Sequence, residues 1–160
     1  VILQAMARLR NREQLHYVIC GEGPDMPFLQ KLTRQLHLEE RVHLLGYRTD
    51  IPDMLGAADI FCMPSRREGC GMAALEAMAA GLPLITVRSH GTKTYAEKGE
   101  SGFCLKGDLV TSCADAIEQL ADNKLLRRQM GARNRAAATA FSDADRMMLL
   151  RGYYQKALGD

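Results

Sequence analysis

The chain has 160 residues, 47% of them hydrophobic and 25% charged, which is typical of one soluble globular domain and excludes a disordered chain. The formal net charge is +2 and the acidic and basic residues are interspersed, so there is no electrostatic argument for a nucleic-acid partner or a membrane surface. No signal peptide and no apolar run approaching about 18 residues is present, so we expect a cytoplasmic protein with no direct membrane segment.

Short apolar runs and amphipathic stretches alternate along the first two thirds of the chain. In chain order they predict a helix over Val1–Arg10, a strand over Leu15–Cys20, a helix starting at Pro24 or Pro27, a strand over Val42–Gly46, a helix over Ile51–Ala58, and strands over Ile60–Met63, Leu84–Val87 and Gly102–Leu105. Alternation of this kind predicts an α/β fold, a Rossmann-like doubly wound parallel sheet with helices on both faces.

The C-terminal part of the chain is predicted to be helical throughout. Three helices are expected, over Leu109–Ala121, from Lys124 to about Ala140, and over Asp143–Leu158. The arginines between Arg127 and Arg135 form a run of positive charge, which we interpret as a solvated helix face.

The five cysteines show no C-x-x-C spacing, and three of them fall in predicted strands. They are interpreted as small buried hydrophobic residues in a reducing compartment. Cys70 alone lies in a glycine-flanked turn, so we expect it to react fastest with alkylating agents. The four histidines form no helical ligand pair, and no metal site is expected.

The stretch Ser65–Pro83 carries the functional signal. A buried strand ends in a polar turn with Gly69 and Gly71, and an alanine-rich helix over Met72–Ala80 follows. The first N–H groups of that helix and its positive dipole end would stabilise an anion such as a phosphate. Gly81 fits the position just past the helix end, which Pro83 then keeps from continuing.

Two carboxylates flank this turn. Glu68 lies in the turn and Glu76 lies about one turn into the helix, so both can face one pocket. A carboxylate can accept from two hydroxyls of a vicinal diol. Glu76 is expected in a poorly solvated place that demands such a partner, because its neighbours on the helix are small or apolar. The alternative is a surface glutamate on an ordinary helix. The neighbours in question are Met72, Ala73, Ala79 and Ala80.

A second motif, Gly21–Met26, partly matches the dinucleotide fingerprint G-x-G-x-x-G after a strand. It fails at two points. Met26 replaces the glycine that allows close helix packing, and Pro24 lacks a backbone donor near the site of a pyrophosphate.

The string EGCGMAALEAMAAGLP, with Glu68 and Glu76 separated by seven residues and Pro64-Ser65 before them, resembles the E-x7-E motif of GT-B retaining glycosyltransferases of family 4. It is close to the form seen in bacterial capsular and exopolysaccharide enzymes. The resemblance extends from about Val18 to about Leu105. It implies the C-terminal, nucleotide-sugar-binding half of a GT-B fold, in which a G-x-G-P turn lines the donor cleft.

The resemblance also implies roles for individual residues. Glu68, the implied catalytic residue, would hold the donor hexose, and Glu76 would hold the ribose hydroxyls. The substrate would be a UDP- or GDP-sugar, with no cofactor and no metal, and the acceptor would bind a second domain absent from this chain. The amides around Gly69, Cys70, Gly71 and Met72 would bind the sugar and diphosphate, and Gly23, Tyr47 and Arg48 would lie along the nucleotide cleft.

By the same resemblance, residues 1–160 are a single donor-binding domain truncated at its N-terminus. The family's first strand and a cationic diphosphate clamp would precede Val1, so the strands Leu15–Cys20 and Ile60–Met63 would lack a common neighbour. Either upstream residues complete the sheet, or these two strands pair directly, or a second copy lends a strand. The 160 residues alone are expected to be inactive, and the absent domain would provide any peripheral contact with the inner membrane.

A hypothesis of another class is a non-catalytic α/β module that binds a nucleotide or a protein. Retention of both Glu68 and Glu76 favours the enzyme.

Overall fold

In the computed structural model, residues 1–68, 71–87 and 101–141 are described. Helices and strands alternate as predicted, and every predicted element within these ranges is present close to its expected bounds. The helix predicted over Asp143–Leu158 lies outside the described residues. The helices are α1 (Ile2–Arg8), α2 (Met26–Gln35), α3 (Ile51–Ala57), α4 (Met72–Ala79), α5 (Leu109–Asp122) and α6 (Lys124–Ala138), with a 3₁₀ turn over Thr139–Phe141; the strands are β1 (Tyr17–Cys20), β2 (Val42–Gly46), β3 (Phe61–Met63), β4 (Leu84–Val87) and β5 (Gly102–Leu105).

All strand pairs are parallel, which confirms the predicted fold class. β1 pairs with β2, and β4 lies between β3 and β5. Within the described residues β1 and β3 do not pair with each other, which excludes direct pairing, one of the three alternatives. Each of these two strands keeps one free edge, as expected for neighbours of a common strand.

One hydrophobic core joins the two sheets. Ile85 and Val87 of β4 contribute to the same buried cluster as Val42 of β2. All four residues of β4 are buried, as expected for a central strand of a parallel sheet covered on both faces. The core is therefore continuous across the break between the sheets.

Helix α1 packs against α5 on one face of this core. Ion pairs between Arg12, which follows α1, and α5 strengthen this contact. Arg12 donates to Asp122 at 2.9 and 2.7 Å and to Glu118 at 2.8 Å, and these carboxylates raise its pKa. The residues of α1 and its C-terminal cap that enter the core are Ile2, Leu3, Ala5, Met6 and Leu9.

The four cysteines within the described residues lie in the predicted elements, but only Cys113 is fully buried as expected. Cys20, Cys62 and Cys104 are in strands and half-buried, and Cys113 is buried in α5. Burial raises the pKa of the Cys62 thiol and raises that of Cys113 to about 11, so both stay protonated at neutral pH. No helix in the described part of the chain is long and apolar enough to cross a membrane.

The arginine run of α6 is a solvated face only in part. Arg128 and Arg133 are exposed, as predicted. Arg127 instead donates to the carbonyls of Leu120 and Ala121 at 2.6 and 2.9 Å, which satisfies the C-terminal end of α5. Arg135 donates to the carbonyl of Ala80 at 2.9 Å. The sequence prediction is therefore wrong for Arg127, whose side chain is only 18% exposed, whereas Arg135 is exposed as predicted although it reaches the end of α4.

Candidate functional site

The candidate residues lie at the carboxyl ends of three parallel strands. Gly23 follows β1, Tyr47 and Arg48 follow β2, and Glu68 follows β3. Parallel strands end at one edge, and ligands of open α/β sheets bind in the crevice outside that edge. Helix α4 starts on the same side because it follows the loop after β3. The topology therefore places Gly23, Tyr47 and Arg48 at the carboxyl edge of the β1–β2 sheet, and Glu68 with the start of α4 at the carboxyl edge of the β3–β4–β5 sheet.

Gly71 shapes the start of α4. It has φ 68° and ψ 50°, a left-handed conformation that favours glycine. Its carbonyl accepts from the amides of Ala74 and Leu75 at 2.8 and 3.2 Å, but it has no side chain to cap the first amides. This confirms the predicted helix start, and the positive end of α4 is suited to an anion. Gly69 and Cys70 lie outside the described residues.

The C-terminal end of α4 is closed by a Schellman motif. Gly81, at φ 82°, donates its amide to Met78, and Leu82 donates to Ala77, at 2.9 and 3.0 Å. The predicted helix end is confirmed. One end of α4 is therefore internally satisfied, whereas the other has no side-chain cap.

Glu76 is the fifth residue of α4 and is exposed to solvent. The expectation of a poorly solvated carboxylate is wrong. The alanine-rich sequence carries small residues on both faces of the helix, so its composition does not show which face is buried. The carboxylate is accessible to a ligand, beside Met72, whose surface is 53% exposed. The buried face of α4 comprises Ala74, Leu75, Ala77 and Met78.

Glu68 lies half-buried in the loop between β3 and α4. The same loop carries Arg66 and Arg67, which are exposed. Neither arginine forms an ion pair among the described residues. Both side chains therefore remain available to an anion.

Two residues follow β2: Tyr47 has an exposed ring, and the charge of Arg48 is neutralised by a neighbour. Tyr47 is 73% exposed, and its amide lies 3.5 Å from the Glu22 carboxylate. Arg48 donates to both oxygens of Asp50, one bond measuring 2.7 Å. This pair raises the pKa of Arg48 and lowers that of Asp50. Arg48 is therefore not a free cation for a phosphate.

The sequence reasoning missed the partners Glu22 and Asp50. The only signals were their positions, Glu22 inside the G-x-G-P turn and Asp50 two residues after Arg48. It also missed a contact between His16 and His43, whose ring nitrogens lie 3.1 Å apart. Among the described residues no group of three or more His, Cys, Asp or Glu side chains is placed to hold a metal ion.

The parallel α/β architecture matches that of solved GT-B glycosyltransferases. TM-scores of 0.88 and 0.84 relate it to the pneumococcal O-GlcNAc transferase GtfA, solved with UDP and GlcNAc, and to HepE of Anabaena, solved with UDP. The alignment with GtfA has 21% identity and covers 99% of this chain and 33% of GtfA. The alignment with HepE has 22% identity and covers 97% of this chain and 44% of HepE.

The chain belongs to the family described as glycosyl transferases group 1, whose model matches residues 1–137. It is 33% identical over 135 residues to N-acetyl-alpha-D-glucosaminyl L-malate synthase of Bacillus anthracis. That alignment covers 84% of this chain and 35% of the relative. The chain thus spans about a third of the length of the curated relatives it matches.

Proposed function

We propose that the chain is the donor-binding half of a retaining glycosyltransferase of family 4. The whole protein transfers a hexose from a UDP- or GDP-sugar to an acceptor hydroxyl in the synthesis of a surface polysaccharide. The proposal is supported by membership of the group 1 family and by the E-x7-E string. The observation that carries it is the pairing of an exposed Glu76 with the uncapped start of α4.

Each carboxylate has a separate task in this proposal. Glu76 accepts hydrogen bonds from the two ribose hydroxyls, and its exposure leaves both oxygens free for them. Glu68, in the loop before α4, binds the donor hexose. Tyr47 offers an exposed ring face to the base, beside the turn that contains Gly23.

The diphosphate is stabilised by preorganised dipoles. The amides at Gly71 and Met72 face negative charge that develops on the leaving phosphate, which lowers the barrier without a proton transfer or a metal ion. Arg66 and Arg67 add positive charge from the same loop. Arg48 contributes less, because Asp50 neutralises it.

The remaining parts of the enzyme lie outside these 160 residues in this proposal. They are the acceptor domain, the principal cationic clamp and the strand between β1 and β3. The 160 residues alone bind nucleotide weakly and transfer no sugar. The protein is cytoplasmic, and the acceptor domain provides any peripheral contact with the inner membrane.

Calorimetric titration of the whole protein with UDP, GDP and their hexose conjugates tests the proposal. We expect one base to bind at least about tenfold more tightly than the other. Glu76→Gln should weaken that binding, and Glu39→Gln, an exposed control away from the site, should not. Absence of nucleotide binding would overturn the proposal and favour a protein-binding module. Binding without sugar transfer would favour the non-catalytic nucleotide module.

A further inference from the structure

Helix α6 contacts three successive carbonyl groups at the C-terminal end of α4. Arg135 donates to the carbonyl of Ala80 at 2.9 Å. The backbone of Gly131 approaches the carbonyl of Gly81. Asn134 donates to the carbonyl of Leu82 at 2.6 Å. One turn of α6 therefore holds the chain where α4 ends and β4 is about to begin.

The approach at Gly131 leaves no room for a side chain. A Cβ atom added there would lie 2.0 Å from the Gly81 carbonyl oxygen. Because that oxygen belongs to the backbone, it cannot move aside as a flexible side chain would. The separation of α4 and α6 is therefore set by glycine at position 131.

Asn134 is completely buried, and both hydrogens of its amide are used. Besides Leu82, it donates to the carbonyl of Ser101 at 2.8 Å, just before β5. Its Oδ1 has no hydrogen-bond partner among the described residues. Exchanging oxygen and nitrogen would place Oδ1 against two carbonyl oxygens, so the two acceptors fix the orientation of the amide.

We propose that Asn134 is a positioning residue for the donor site, an inference that rests on the proposed function. α4 has eight residues and rises about 12 Å, as one rigid element. Holding its C-terminal end fixes its position along the axis and its rotation. Both are transmitted to Glu76 in the middle of the helix and to Gly71 at its other end. Asn134 itself touches no ligand.

Two asparagine-to-alanine substitutions test this role, one within α6 and one at its N-terminal cap. Asn134→Ala removes the hydrogen bonds to the carbonyls of Leu82 and Ser101, and so weakens the hold on the end of α4. Asn123→Ala removes the N-terminal cap of α6, whose Oδ1 accepts from the amide of Leu126 at 2.9 Å, and leaves α4 untouched. Both should lower the melting temperature of the whole protein. Binding of UDP and GDP is then measured by calorimetry well below the lowest melting temperature.

We expect Asn134→Ala to raise the dissociation constant of the preferred nucleotide about tenfold and Asn123→Ala to leave it unchanged. Arg135→Ala, at an exposed position, should raise it about threefold and keeps the test usable if Asn134→Ala does not fold. Arg135→Lys, which retains a donor, should recover part of that loss.

Two results would overturn the inference alone. In the first, wild type binds nucleotide and Asn134→Ala, or Arg135→Ala in its place, binds equally well. In the second, Asn123→Ala weakens binding as much as Asn134→Ala. Failure of wild type to bind UDP or GDP would overturn the proposed function and, with it, this inference.

Discussion

The two edges of the parallel sheet differ in how their polar groups are satisfied. At the amino edge Asn134 is fully buried and binds two carbonyls, and the amide of Leu84 donates to the same Ser101 carbonyl at 3.0 Å. Toward the carboxyl edge Glu76, in the middle of α4, is exposed, and no side chain of the described residues caps the first amides of α4. Under the proposed function, the contrast teaches that stability and ligand binding depend on different parts of the same helix.

The largest loss of stability is expected from a substitution at Gly131, where α6 contacts the end of α4. Gly131→Ala forces a Cβ against the Gly81 carbonyl, and we expect it to lower the free energy of unfolding by about 3 kcal/mol. Urea denaturation measures the loss. The control is Gly56→Ala in α3, where nothing lies within 4 Å of the added Cβ. That change should instead stabilise by about 0.5–1 kcal/mol, because alanine favours a helix. If Gly131→Ala and Gly56→Ala lowered the free energy of unfolding equally, contact with α4 would not be the cause.

Substitution at the carboxyl edge should show the opposite pattern. Glu76→Gln is expected to weaken nucleotide binding by roughly 1–3 kcal/mol, because a charged acceptor of hydroxyl hydrogen bonds is lost. Its free energy of unfolding should change by less than about 0.5 kcal/mol, since the side chain is exposed. Calorimetry and urea denaturation of the same preparation give both numbers. A variant that unfolds more easily but binds normally would make Glu76 an ordinary helix residue.

Much of the fold was predictable, because apolar runs such as Leu84–Val87 and turn residues such as Gly81 determine local structure. The role of α6 was not. Periodicity shows which face of a helix is apolar, but not which carbonyls an arginine or asparagine meets across the fold. Asn134 and Arg135 contact residues more than fifty positions earlier in the chain. Glu76 was placed correctly on its helix, but its exposure depends on packing that an alanine-rich sequence leaves open.

The buried thiol of Cys113 should make the stability of the core depend on pH in the alkaline range. The pKa of Cys113 is raised by burial from 9.0 to about 11. Its contribution to stability is therefore present below pH 9.0, the unfolded value, and is lost as pH rises toward the folded value of about 11. Cys113→Ala should show a shallower fall in melting temperature over this range. An unchanged slope would contradict the assignment.

Brief alkylation with iodoacetamide followed by mass mapping gives an independent check. Cys62 and Cys113 should label slowly, because burial keeps both thiols protonated. The sequence prediction that Cys70 labels first remains to be tested by the same measurement. Labelling of Cys62 before Cys70 would contradict the assignment of one to a strand and the other to a turn.

The smallest effect is expected at the N-terminal cap of α5. Asp108 accepts from the Thr111 hydroxyl and, at 3.1 Å, from the Val110 amide, and these bonds lower its pKa below 3.8. Its contribution to stability is present above pH 3.8 and is lost as pH falls through the lowered folded value. Asp108→Asn should reduce the slope of an acid titration followed by circular dichroism. Asp115→Asn, an exposed change in the same helix, is the matched control.

Hydrogen exchange of the whole protein, with and without its preferred nucleotide, tests the central claim most directly. We predict that the nucleotide slows exchange at the carboxyl edge, in peptides covering residues 46–48 and 68–76. Amides of α6 should change little, because that helix contacts the opposite end of α4. Protection confined to residues 124–138, or protection absent from both edges when binding is saturated, would contradict the account.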